Sequence, residues 1–155
     1  MADILPQPFE WIDIPSGSVQ LEDGHLIFDV SEFMIAKYPI TNAQYQVFVD
    51  SLDGYCDARW WTYSEDALEW RMCNKNPQDT AFSGDDLPRT NVNWYDAVAF
   101  CYYLSTLTDQ MITLPTELEW QRAAQGDDAR FYPWGNTDPN DFLCNFHNKI
   151  GMPTP

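Results

Sequence analysis

Four cysteines, two histidines and a surplus of carboxylates are the side chains of this 155-residue sequence that could carry chemistry. A thiol acts as nucleophile, redox centre or soft metal ligand only as its thiolate, which needs a helix N-terminus, a cation or a metal beside it. Cys56, Cys73, Cys101 and Cys144 lie far apart and form no CxxC pair. Their spacing therefore suggests neither a zinc site nor a disulfide framework, and reduced thiols packed in the fold are expected. Cys101 stands among Phe100, Tyr102 and Leu104, surroundings that would bury it and favour the neutral thiol. His25 and His147 have no second ligand at helical or hairpin spacing and read as surface or satisfied histidines. No Ser-His-Asp pattern, phosphate-cradling glycine loop or HExxH occurs.

Any such group has to be positioned by ordered elements. Alternation over residues 9–14 predicts a strand that Pro15 and Gly17 end, and short strands are predicted over 25–30 and 33–36. Three helices carry start signals. Thr41 and Gln44 have the spacing of a capping box, followed by Tyr45, Phe48 and Val49 on one face. Asn93 is placed to cap a helix through Leu104, with Asp96 near its positive end. Thr116 and Glu119 form a second capping box after Pro115, opening a helix through Ala124 that Gly126 stops. Residues 51–92 read as a long irregular stretch rich in rings: Tyr55, Trp60, Trp61, Tyr63 and Trp70. Loops of this length are usually functional or held by their own packing. Most of these rings are expected to pack beneath the loop, with one or two left as a ligand- or partner-binding surface.

One domain is expected from the length. Hydrophobic residues make up 45% of the chain and aromatic ones 15%, which excludes disorder. The net charge of −16 would repel nucleic acid and anionic membrane surfaces, so neither is expected as a partner. The opening residues lack the basic start, apolar run and cleavage site of a signal peptide, and a cytoplasmic location is expected.

Several segments, in order, resemble the formylglycine-generating-enzyme (sulfatase-modifying-factor) family. Ile40-Thr41-Asn42-Ala43-Gln44-Tyr45 is similar to its VTNAQY helix start. The run from Asn91 through Trp94 and Asp96 to Cys101 follows its VSWxDAxAYC pattern. Leu114-Pro115-Thr116-Glu117-Leu118-Glu119-Trp120 nearly reproduces its LPTEAEWE signature, and Tyr132-Pro133-Trp134-Gly135 matches its YPWG. LPTExEW followed closely by YPWG is quite specific, and the ordered set covers the chain from about residue 9 onward. Most of these words are caps and packing residues; Leu114, Leu118 and Trp120 are core candidates. Thr113, Gln121 and a shortened Ser18–Gly24 loop depart from the pattern.

The resemblance implies an α+β, C-type-lectin-like fold, with residues 1–155 as the N-terminal portion of one such domain. It implies a complementing C-terminal segment or partner chain, because the family's copper-binding cysteine pair would lie beyond Pro155. It also implies a structural calcium held by the Asn145 side chain and the Phe146 carbonyl, a set needing further oxygens. Without the cysteine pair, the expected function is a non-catalytic module binding a protein or small ligand, not an enzyme. The alternative is part of a copper-dependent oxidase that converts a sulfatase cysteine to formylglycine.

Overall fold

A computed structural model of the chain describes residues 4–21, 26–145 and 151–154. Helices and short strands are mixed, and the chain divides into two compact units. The first comprises Met1–Phe9, Tyr38–Leu114 and Met152–Pro155; the second comprises Glu10–Lys37 and Pro115–Gly151.

In the first unit, α1 (Asn42–Asp50) starts as its capping box requires. Thr41 accepts from the Gln44 amide, and Gln44 accepts from the Thr41 amide at 3.0 Å. Both residues are buried, and Gln44 Nε2 also donates to the carbonyls of Pro6 and Pro8 at 2.9 and 2.7 Å. The helix ends where the chain folds back over the Phe48 carbonyl, which accepts from Tyr55 N at 2.8 Å. A Cβ at Gly54 would stand 2.0 Å from that carbonyl oxygen. Only glycine fits there without moving backbone.

The stretch expected to be irregular contains a 3-10 turn (Ala58–Trp61) and a nine-residue helix, α2 (Glu65–Cys73). Its start signal is present in the sequence: Ser64 accepts from the Ala67 amide, and Glu65 and Asp66 occupy the first turn. What concealed it is the lack of an apolar stripe, since its buried residues are Ala67 and Arg71. The next helix, α3 (Trp94–Thr108), begins at Asn93 as predicted and runs past Leu104 to a left-handed Asp109.

The core of this unit is built from rings. Phe48 lies 5.0 to 5.9 Å, centroid to centroid, from Tyr45, Tyr55, Trp61, Phe100 and Tyr103. Each such pair contributes about 0.5–1.5 kcal/mol beyond the area it removes from water.

In the second unit, β1 (Trp11–Ile14) pairs antiparallel with β4 (Phe33–Ala36), Trp11 opposite Ala36. A further strand, β2 (Gly17–Gln20), pairs antiparallel with β3 (Ile27–Val30). Pro15 and Gly17 do end β1, but Gly17 also opens β2, which the sequence pattern did not suggest. With Val19 as its one buried residue, β2 has too little alternation to be recognised. The helix α4 (Glu117–Gln125) keeps its Thr116–Glu119 capping box and ends at Gly126, whose N–H bonds to the Arg122 carbonyl. His25 and His147 lie outside the described residues.

Candidate functional site

The first unit buries a carboxylate. Asp96, one turn into α3, has 3% of its surface exposed. Its Oδ1 accepts from the Tyr55 hydroxyl at 3.2 Å, and its backbone N–H bonds to the Asn93 cap. Trp61 Nε1 faces the same carboxylate and favours its charged form, yet that buried N–H has no acceptor in hydrogen-bonding geometry. Burial pushes the Asp96 carboxyl up to about 6, against the opposing pull of Tyr55, Trp61, Arg71 and Arg89.

Arg71, itself buried, is held over the faces of Tyr55 and Trp61 at 4.9 and 4.8 Å. It donates to the carbonyls of Tyr55 and Asn74. Burial raises the phenols of Tyr45 and Tyr55 far above their ordinary range and lifts Tyr63 to about 12. All three therefore remain neutral donors at any physiological pH.

The ring-rich segment is placed as follows. Tyr55, Trp60 and Trp61 are core residues and present almost no surface. Tyr63 and Trp70 are half-buried, Tyr63 donating to the Tyr95 carbonyl at 3.1 Å and Trp70 lying against Tyr95. The surface-forming rings are instead Trp94 and Tyr102 of α3, 60% and 48% exposed, packed on either side of Tyr63. Sequence reasoning placed Trp94 in the family signature without seeing this exposure. Thr41 and Asn42 are buried polar anchors: Asn42 Nδ2 donates to the carbonyls of Phe82 and Gly84 at 2.9 and 2.8 Å, fixing that loop on α1.

The second unit has a different centre. Arg122 is 2% exposed and donates to the carbonyls of Pro15, Ser16 and Gly126 and to the Asp127 carboxylate. A Cβ at Gly17 would lie 2.5 Å from its guanidinium carbon, so β2 begins with the one residue that lets the arginine pass. Arg122 takes the buried position of α4, and this overturns the expectation that Trp120 is core: two residues earlier, on the opposite face, Trp120 is 62% exposed. Thr116 and Glu119 bond each other's amides, while Pro115 and Glu117 are exposed. Trp134 stacks on Tyr132 at 5.1 Å, in a turn closed by the Tyr132–Gly135 bridge.

The donor set for metals can be tested directly. Cys101 is buried mid-helix and burial lifts its thiol to about 11, the opposite of what a thiolate ligand needs. Cys56 and Cys73 are exposed, Cys144 is half-buried, and all four are free. Among the described residues no three His, Cys, Asp or Glu side chains converge as a metal site. These residues do not fit the copper centre that the resemblance implies. Asn145 is exposed, and Phe146 lies outside the described residues.

A family model for the sulfatase-modifying factor enzyme 1-like domain matches residues 6–150. The chain belongs to this family. Among its relatives, hercynine oxygenase of Mycobacterium tuberculosis is 30% identical over 146 residues, 83% of this chain and 33% of the relative. Formylglycine-generating enzyme of Thermomonospora curvata is 29% identical over 147 residues, 75% of this chain and 46% of the relative. That of Bos taurus is 26% identical over 136 residues, 69% of this chain and 34% of the relative. The chain thus spans about a third to a half of the length of these relatives. Their names are those of enzymes, and this overturns the expectation of a non-catalytic binding module. The absent cysteine pair misled because it is one reaction's reacting group and not the mark of the whole family. No helix among the described residues is long and apolar enough to cross a membrane.

Proposed function

We propose that this chain forms part of an oxygen-using enzyme of the sulfatase-modifying-factor family, of the hercynine oxygenase kind. The observation that carries this reading is the 30% identity to hercynine oxygenase across 83% of the chain. Two more hercynine oxygenases, of Mycolicibacterium species, match over the same share. In this reading the chain supplies scaffold: the ring core around Phe48, the capped helices and the Arg122 clasp. The reacting groups come from further polypeptide of the same enzyme, which would also complete a C-type-lectin-like arrangement and add oxygens to any calcium held at Asn145. Tyr63 and Trp70, with Trp94 and Tyr102 beside them, are the part of the ring-rich region with surface left for a ligand or partner.

A second reading is oxidation of a sulfatase cysteine to formylglycine, favoured by the 29% identity to the Thermomonospora curvata enzyme. One experiment separates the two. The natural gene product is incubated in air with hercynine, or with a cysteine peptide of sulfatase type, while oxygen uptake and product mass are followed. Hercynine-dependent uptake with a changed hercynine mass supports the first reading. Conversion of the peptide alone replaces it with the second, and inertness toward both removes the two together.

A further inference from the structure

The strongest unexplained feature is the buried carboxylate of α3, which neither capping nor the proposed chemistry requires. An exposed aspartate near a helix N-terminus would serve the dipole equally well. Asp96 is instead enclosed by groups from every neighbouring segment. Tyr45 faces it from α1, Tyr55 from the turn after α1, Trp61 and Tyr63 from the 3-10 turn and its exit, Arg71 from α2, and Arg89 from the loop before α3. The Tyr55 hydroxyl is the hydrogen-bonding side chain in place, and the Trp61 N–H beside it is buried without an acceptor. An ionised carboxylate here is short of partners, whereas a neutral carboxyl costs far less to bury.

We propose that Asp96 is a proton-operated latch of the first unit: neutral, it rests within the aromatic cluster; ionised, it loosens the segment of residues 51–73 packed over α3. The two positive groups, Arg71 and Arg89, act against this but do not reach the carboxylate with a hydrogen bond among those the two guanidinium groups form. The sign follows from linkage. Asp96 is raised in the folded chain from its ordinary 3.8 to about 6. Its contribution to stability is therefore fully present below about pH 4 and is lost as pH rises through about 6. That difference corresponds to roughly a 100-fold change in the folding constant. The latch would operate whichever substrate the enzyme takes.

The test uses the full chain. The carboxyl carbon of Asp96, followed by NMR, should titrate with a midpoint near 6; a midpoint at or below 4 overturns the proposal. Hydrogen-exchange protection of residues 51–73, taken as the ratio of wild type to Asp96→Asn, should fall roughly 100-fold between pH 4 and pH 7.5. A ratio that stays constant overturns it. Should Asp96→Asn fail to fold, Tyr55→Phe removes the hydroxyl that holds the carboxylate charged. Its Asp96 midpoint should then move upward, and an unchanged or lower midpoint sinks the latch.

Discussion

Around Phe48 the chain is held by rings, and around Arg122 by a single guanidinium. The first unit gathers aromatic side chains from α1, the 3-10 turn and α3 into one contiguous cluster. The second unit has two four-residue ribbons and one helix, and buries few large side chains. Apolar packing spreads stability over many small contacts, so that no one hydrogen bond matters greatly. A polar clasp concentrates it, because each carbonyl that Arg122 satisfies becomes a buried orphan when the arginine is removed.

That contrast can be broken by substitution. The largest expected loss is for Phe48→Ala, about 3–5 kcal/mol, since the ring is wholly buried and meets five other rings. Chemical denaturation would read it, and a loss under about 2 kcal/mol would show that the cluster collapses to refill the cavity. Arg122→Ala should cost about 2–3 kcal/mol, with exchange protection lost in β2 and α4 and retained in α1 and α3. Arg122→Lys should recover less than half of it, because an ammonium cannot span several carbonyls as the planar fork does. Loss of protection spreading equally through α3 would mean the two units do not unfold separately.

Smaller effects sharpen the same comparison. Gly17→Ala should push against the arginine and cost about 1–2 kcal/mol, less than removing the arginine itself. Thr116→Ala should cost about 1 kcal/mol by freeing the Glu119 amide; the thermal midpoint checks it. Ala129→Gly should gain a few tenths of a kcal/mol, up to about 1, because Ala129 sits at φ 51, where a Cβ is unfavourable. A loss at this position would show that something outside its backbone holds it there.

The readable and unreadable parts of the fold differ in a consistent way. Thr41 with Gln44, Asn93 with Asp96, and Thr116 with Glu119 were legible because a cap and its amide are three residues apart. The helix at Glu65–Cys73 had an equally local start signal, but the absence of an apolar stripe hid it within a loop. Trp120 misled for the converse reason: a large ring suggests core, yet the face of α4 that turns inward carries Arg122. The candidate site was less legible still. Asp96 was read as a dipole-compensating residue at a helix start, and nothing near it in the chain signals burial.

Local chemistry in the amino-acid order was enough to set the helix starts, and the ordered signature words were enough to mark the family. The tertiary structure alone decided which polar groups lie inside. Tyr55 bonds Asp96 across 41 positions and Arg122 bonds Pro15 across 107. A cap is specified by neighbours in sequence, whereas the cost of burying a charge is set by partners that only folding brings together.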